Sequence, residues 1–553
     1  MENTGATVHT LIPENAPFSP EQRAWLNGFL AGLLSADRLI VPAASKAPAG
    51  VPLVVLYGSQ TGTAERLAHL CGRDAAQRGY HARVMGMERF QEVEWRQEAR
   101  LLAITSTYGD GEMPDNAQAL WDFLQSDQAP QLSQLQYSIL ALGDTNYPQF
   151  CAAGKALDQR LEELGAQRVY PRIDCDLDYE VKAKEWIAAC LGVLNSGRST
   201  SSPSDQPSAH LQNRALEPAV ASVRPEPAQA RIVATRGLNS AGSAKETLHV
   251  EIDLSDSDLA YETGDALGIV PTNCPEFVQE LLDAAGLDGE EPVKLTASVE
   301  QPLRLALLRH FELKPYLTNL PKSGTSAEEL IRPLSKLRPR LYSIASSAKA
   351  HPKSAHLTVG VVRYTLQGRQ RKGVCSTFLA DRVNPGSTIP VFMQSAPNFR
   401  LPRDGSSPLI MVGPGTGIAP FRAFLQERNS TGAAGPNWLF FGDQRSATDF
   451  LYRDELLNWH KQGLLTRLDT AFSRDQEQKI YVQDRMIEHA AELWRWLESG
   501  GYFFVCGDAA RMAKDVDAAL HRVCQLGGNL TPEAAIEYVR QLRTDKRYCR
   551  DVY

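Results

Sequence analysis

The chain has 553 residues, 43% of them hydrophobic and 22% charged, with a formal net charge of −7. That length exceeds what a single hydrophobic core can serve, so three or more domains are expected. The charge balance gives no reason to expect a nucleic-acid partner. The acidic excess is confined to one segment. Residues 51–195 hold 13 Lys/Arg against 20 Asp/Glu, and the remainder balances at 45 against 45, so one domain carries the whole excess, which serves either to steer a basic partner or simply as a solubilising surface. The nine cysteines (71, 151, 175, 190, 274, 375, 506, 524 and 549) form no CxxC pair, so no metal site is expected from them. A scattered, odd set suits a reducing compartment. Residues 1–17 are polar with acidic members, unlike a signal peptide, and no apolar run reaches bilayer-spanning length. A cytoplasmic protein is expected.

In chain order, Ser19-Pro20-Glu21-Gln22 reads as a helix start, with Ser as cap and Pro in the first turn. Trp25, Phe29, Gly32 and Leu33 then share one face. The stretch Pro42 to Pro52 reads as a linker, so that isolated helix either folds back on its own domain or packs with copies from other chains, and the second is favoured. Residues 1–50 are therefore expected to be an oligomerisation helix and linker.

Residues 51–195 carry three apolar strands, each delivering a polar loop. Leu53-Val54-Val55-Leu56-Tyr57 enters Gly58-Ser59-Gln60-Thr61-Gly62-Thr63-Ala64-Glu65 and then a helix. Hydroxyls, backbone amides and a helix N-terminus make a phosphate cradle. It holds no Lys, so it is not a triphosphate loop. The strand from Leu101 ends in Ser106-Thr107-Tyr108-Gly109. The strand from Ser138 ends in Leu142-Gly143-Asp144-Thr145-Asn146-Tyr147-Pro148-Gln149-Phe150-Cys151. Ligands bind at such C-terminal strand ends in open α/β sheets. Residues 196–227, rich in Ser, Pro and Ala, read as a flexible linker.

Residues 228–403 are expected to form a β-rich domain interrupted by a helical insertion at about 275–337. Past the insertion lies Arg340-Leu341-Tyr342-Ser343. Strand alternation puts Arg340 and Tyr342 on one face, a cation for a pyrophosphate and a ring for a flat heterocycle. His356 to Tyr364 reads as a further strand, and Gly373-Val374-Cys375-Ser376 as a small-residue approach to a helix start.

Residues 404–553 open with Leu409-Ile410-Met411-Val412-Gly413-Pro414-Gly415-Thr416-Gly417, a strand, a Gly-rich turn and a helix. Strand ends follow at Trp438 to Asp443, at Thr470 to Arg474, and at Tyr502 to Cys506, the last leading into a helix through Asp515. Ser473, Arg474 and Lys479 make a compact group of one hydroxyl and two cations, followed by Ile480-Tyr481-Val482-Gln483. A cationic group accommodates the 2′-phosphate of NADPH where an acidic residue would select NADH. The chain ends in Asp551-Val552-Tyr553.

The three loops of residues 51–195 resemble those of flavodoxins, and Arg340 to Ser343 with Gly373 to Ser376 resembles the FAD site of ferredoxin–NADP reductases. The order of the units is similar to that of the diflavin reductase family. The runs Arg340-Leu-Tyr-Ser-Ile-Ala-Ser, Gly413-Pro-Gly-Thr-Gly-Ile-Ala-Pro-Phe-Arg, Asn437-Trp-Leu-Phe-Phe-Gly and Arg550-Asp-Val-Tyr resemble the flavoprotein components of NADPH-sulfite reductases most closely. The resemblance implies a flavodoxin-like FMN domain, an FAD-binding β-barrel with a helical insertion, and an α/β NADP-binding domain. It implies that FMN phosphate lies in 59–64 with Tyr108 and Tyr147 flanking its ring, and that Asp174 or Asp176 is a further neighbour. It further implies that Lys314, Arg340 to Ser343, Thr358, Val359, Gly360, Tyr364 and Gly373 to Ser376 contact FAD. Ser343, Cys506 and Asp551 would surround hydride transfer, and Tyr553 would cover FAD until displaced. Electrons would run from NADPH to FAD to FMN and on to a sirohaem and iron–sulfur subunit that reduces sulfite to sulfide in sulfate assimilation and cysteine biosynthesis. The alternatives are a stand-alone diflavin reductase serving another haem or iron–sulfur acceptor, and a non-enzymatic scaffold with relic flavin folds. Two departures from the family stand out. Val374 and Cys375 replace a frequent Gly-Ala, and the insertion is shorter by some tens of residues after Phe311.

Overall fold

The computed structural model describes residues 50–59, 62–109, 111–145, 149–176, 179–195, 227–296 and 299–553. The expected N-terminal helix, Gln60, Thr61, Asn146, Tyr147, Pro148 and the linker up to residue 226 lie outside them.

Three sheets organise the described residues. The first is parallel, with strands ordered Tyr80–Gly86, Val51–Gly58, Arg100–Ser106, Gln136–Leu142, Gln167–Arg168, and Ile173–Cys175 also pairing with Gln136–Leu142. Its central strands are continuous apolar runs because helices cover both faces. One face buries Val54, Leu56, Leu101 and Ile139, and the other buries Leu53, Val55, Leu102 and Leu140. This is the doubly wound order of a flavodoxin-like fold, with all three loops at one end of the sheet.

The second sheet is antiparallel, ordered Arg340–Ser343, Ala266–Ile269, Thr388–Gln394, Ala228–Gly237, Thr247–Asp253, Ser354–Gly360. A bridge between Ile344 and Leu357 joins its two outer strands and closes the barrel, which removes the exposed edges an open sheet would keep. The insertion is not wholly helical. Helices Pro275–Ala285, Leu303–Arg309 and Ala327–Ile331 pack around Leu281, Leu282, Leu307 and Leu330, but Pro292–Thr296 and Val299–Pro302 pair as a hairpin. Val293 is buried between exposed neighbours there, a strand period that outweighs the surrounding helical pattern. The strand expected from His356 to Tyr364 also stops early, at Gly360. Arg363–Leu366 pairs instead with Arg369–Lys372 across Gln367 and Gly368, both with positive φ, the geometry of a two-residue hairpin turn.

The third sheet is parallel, ordered Arg467–Phe472, Asn437–Asp443, Leu409–Val412, Tyr502–Gly507, Tyr548–Val552. Buried Trp438, Phe440, Phe503 and Phe504 fill its two faces. The C-terminal strand therefore forms one outer edge, beside the strand that carries Cys506.

Candidate active site

At the first sheet, Ser59 is buried and its Oγ has no hydrogen-bond partner among the described residues, although its N–H reaches Asn116 Oδ1 at 2.8 Å. Gly62, at φ 83°, caps the 15-residue helix Thr63–Gln77, a backbone state that glycine adopts without a Cβ penalty. A buried, orphaned hydroxyl at a helix N-terminus is what a bound phosphate would satisfy. Thr63 and buried Ala64 begin the helix. In the second loop, Ser106 Oγ donates to the Gly58 carbonyl at 3.3 Å and Thr107 N–H to Leu142 O at 2.9 Å, which tie the loops together. In the third, Gly143 N–H donates to Cys175 O at 2.9 Å and Thr145 Oγ to Asp176 at 2.7 Å. Phe150 lies under the Lys155 ammonium, 5.3 Å from its ring centre, and Gln149 adjoins Gly111. Cys151 is fully buried at φ 55°, with its Sγ directed at Ala141 O and Cys175 O. Its thiol is pushed up to about 12, chiefly by burial, so it packs rather than reacts.

Tyr108 points away from its own sheet. Its hydroxyl accepts the Val552 N–H at 3.0 Å, and the Arg550 guanidinium lies 5.4 Å from its ring centre. A Cβ placed on Gly109 would lie 3.7 Å from Ala509. The loop of the first unit therefore rests on the third.

In the barrel, Arg340 donates to Glu312 at 2.9 Å and to Arg338 O at 2.8 Å, and Lys314 sits exposed in the turn just after Glu312. Tyr342 lies beside Cys375, whose thiol burial pushes up to about 11. Leu341, on the alternate face, is exposed. Thr358 and Val359 face opposite sides of their strand. Thr358 Oγ meets Tyr452 OH at 2.7 Å, and Val359 is in the barrel core. Gly360 stands beside Thr416. Gly373 N–H donates to Val362 O, and Ser376 Oγ accepts the Val362 N–H at 3.1 Å, at the start of the short helix Val374–Thr377. Val362 and Tyr364 are exposed apolar side chains flanking this turn, as a flat apolar ligand would require.

In the third unit the Gly-rich turn presses on the strand end that carries Cys506. A Cβ on Gly417 would lie 2.1 Å from the Cys506 carbonyl, so only glycine fits. Ser343 Oγ donates to Asp551 Oδ2 at 2.6 Å, and Cys506 Sγ stands 3.7 Å from the same oxygen. Burial raises the Asp551 carboxyl above its ordinary value, and burial with the adjacent carboxylate raises the Cys506 thiol. Tyr553 OH meets Thr416 Oγ at 2.8 Å. Ser473 N–H donates to Asp443 O at 2.9 Å and Arg474 N–H to Gln444 O at 2.8 Å, which fixes the loop, while the Arg474 and Lys479 side chains stand in solvent. Tyr481 is exposed, Ile480 half-buried and Val482 in the core. Gln483 Nε2 reaches Asp515 at 3.4 Å.

Sequence reasoning missed the contacts between units. Arg338 donates to Asp144, Thr145 and Asp176, and to the last at 2.7 Å by one of its nitrogens. Arg550 pairs with Asp115, and Lys514 lies 3.5 Å from Glu112. The only advance sign was the cationic run Lys336-Leu-Arg338-Pro-Arg340 beside an acidic first unit.

Comparison with known proteins agrees with this geometry. The flavodoxin family matches residues 55–186, the FAD binding domain residues 221–315 and 303–378, and the oxidoreductase NAD-binding domain residues 411–518. A sulfite reductase [NADPH] flavoprotein alpha-component from Bacillus subtilis is 42% identical over 597 residues, covering 99% of this chain and 97% of that protein. Those from Vibrio cholerae and Klebsiella pneumoniae are each 41% identical, covering 99% and 97% of this chain and 96% of each protein. The chain belongs to this flavoprotein alpha-component family. It carries the family's flavodoxin, FAD-binding and NAD-binding domains in order. The FAD-binding match breaks into two pieces that overlap at 303–315, and the Bacillus alignment is longer than the 553-residue chain. The overlap of the two pieces agrees with a shortened insertion. No helix among the described residues is long and apolar enough to cross a membrane.

Proposed function

We propose that this chain is an NADPH-dependent diflavin reductase, the flavoprotein component that delivers electrons to a sirohaem and iron–sulfur subunit for the six-electron reduction of sulfite to sulfide. The carrying observation is the contact between the flavodoxin loop and the hydride-transfer end. Tyr108 OH accepts the Val552 N–H, one residue from Asp551, which holds Ser343. FAD and FMN, when bound, supply a hydride acceptor and a carrier able to release electrons singly.

The chain's own residues bind, orient and shield. Ser59 to Ala64 hold a single phosphate, and Arg340 with the Gly373 to Ser376 turn holds a pyrophosphate. Ser473, Arg474 and Lys479 take the 2′-phosphate of NADPH, and Gln483 and Asp515 border the same nucleotide. Ser343, Cys506 and Asp551 form a partly buried, hydrogen-bonded set that would orient the nicotinamide for hydride transfer, so that orientation would do most of the catalysis. Tyr553, hydrogen-bonded to Thr416, shields the site until nicotinamide displaces it. Domain limits of 51–195, 228–403 and 404–553 suit the three sheets. The protein is read as cytoplasmic and as a homo-oligomer through the helix expected from the sequence within residues 1–50. The acidic flavodoxin domain supports a basic docking face on the partner.

Sedimentation of the flavin-loaded chain with a purified sirohaem sulfite reductase subunit tests the partner. Co-migration that weakens with salt is expected, whereas separate migration at low salt would favour another acceptor.

A further inference from the structure

Strand Tyr548–Val552 is an outer edge of the third sheet, and it lies where the first and third units meet. Its pleat sends successive side chains to opposite faces. Asp551 turns toward Ser343 and Cys506. Arg550 turns toward the first unit, where it pairs with Asp115, stands 3.9 Å from Glu112 and covers the Tyr108 ring. Only 10% of the Arg550 side chain is exposed, and a cation so desolvated is held by its partners or not at all. The outward amide of Val552 would be an unpaired edge donor, and Tyr108 OH accepts it. The neighbouring residue, Tyr553, is hydrogen-bonded through its own N–H to Gly507 O and through its hydroxyl to Thr416. At the other end, Tyr548 is anchored within the third unit by its hydroxyl on Asp517 at 2.9 Å.

We propose that Arg550 is a positioning residue that couples two events. By seating the Tyr108 loop on the C-terminal strand through Asp115 and Glu112, it pins the Val552 amide and so holds Tyr553 over the site. Docking of the first unit and displacement of Tyr553 therefore oppose each other. The nicotinamide ring enters most readily when the first unit is undocked, and redocking restores the cover. The inference rests on the reading of Tyr553 as that cover. It does not depend on which protein finally accepts the electrons.

The test compares the flavin-loaded full chain with Arg550→Glu and with the charge swap Arg550→Glu plus Asp115→Arg. Amide hydrogen exchange over 548–553 and small-angle scattering report strand pinning and docking without reference to turnover. Arg550→Glu is expected to speed exchange at the Val552 amide about tenfold or more, to expand the particle, and to raise the first-turnover rate of reduction by NADPH several-fold. The charge swap is expected to restore all three, which a merely structural loss would not allow. Should Arg550→Glu fail to fold, Arg550→Leu keeps the apolar stem, and the same gain in exchange is expected. Unchanged exchange and scattering in the folded single variant would overturn the proposal, as would a folded charge swap that restores neither. Failure to form sulfide with a sirohaem subunit would instead count against the choice of acceptor and leave these readouts intact.

Discussion

Ser343 Oγ and Asp551 Oδ2, 208 residues apart in sequence, lie 2.6 Å apart. The bond ties the barrel strand to the C-terminal strand and supplies the stronger of the two side-chain contacts to a buried carboxyl, the other being Cys506 at 3.7 Å. Ser343→Ala removes it and leaves Asp551 under-satisfied, a loss of ~1–3 kcal/mol. Lower thermal stability is expected, together with hydride transfer slowed about tenfold or more and a nearly unchanged KM for NADPH. Rapid-mixing reduction by NADPH alongside a thermal melt separates the two effects. A raised KM with an intact reduction rate would place Ser343 in nucleotide binding instead.

Arg474 stands exposed on a loop fixed by backbone bonds to Asp443 and Gln444, so its removal should not disturb the fold. Arg474→Ala is expected to weaken NADPH by about 10- to 100-fold while leaving NADH nearly unchanged, since charge-assisted contacts are worth ~1.5–3 kcal/mol apiece. Steady-state KM values for both nucleotides give the answer, and equal losses for both would remove the 2′-phosphate assignment.

Tyr553 is half-exposed and makes one side-chain hydrogen bond, to Thr416. Tyr553→Ala is expected to raise kcat/KM for NADH by about tenfold, because the cover no longer has to be displaced and breaking that hydrogen bond alone costs ~1 kcal/mol. An unchanged NADH rate would count against the cover.

The barrel meets the third unit through a buried histidine group. His249 Nδ1 lies 2.9 Å from Tyr452 OH, its Nε2 lies 3.3 Å from Glu251, and its ring is 5.0 Å from that of His356. Arg422, His351, Arg236 and Glu455 surround them. Thr358, Tyr452 and His249 form a continuous hydrogen-bonded chain, with Glu251 beside the far nitrogen of His249. Burial, with the Arg422 charge assisting, lowers His249 to about 2, and burial with His351 lowers His356 to about 3. Both are neutral when folded and gain protons near pH 6.5 when unfolded. Their stabilisation is therefore complete above that pH and is lost as pH falls from about 6.5 toward about 3, on the order of 1–2 kcal/mol each by pH 5. Melting midpoints at pH 7.5, 6 and 5 should fall progressively. His356→Gln should flatten that fall, and a slope identical to the parent would contradict the account.

Much of the site was legible because its signals are local. A run such as Leu53 to Tyr57 declares a buried strand, and the glycines of Gly413 to Gly417 declare a turn that side chains would obstruct, which Gly417 against Cys506 bears out. Pairings set by distant packing were not legible. Arg338 with Asp176 and Arg550 with Asp115 each join separate units, and no periodicity relates such positions. The direction of Thr358, turned to Tyr452, depended on which barrel face the third unit covers. The hairpin that follows the early end of the strand at Gly360 turns on positive φ at Gln367 and Gly368, a conformation that a Gln does not announce.

Sulfide formation from NADPH and sulfite, with the flavin-loaded chain and a purified sirohaem sulfite reductase subunit, tests the central claim most directly. Sulfide is expected at one molecule per three NADPH consumed, with none from either protein alone. Reduction of ferricyanide by the chain without any sulfide in the mixture would contradict the assigned acceptor.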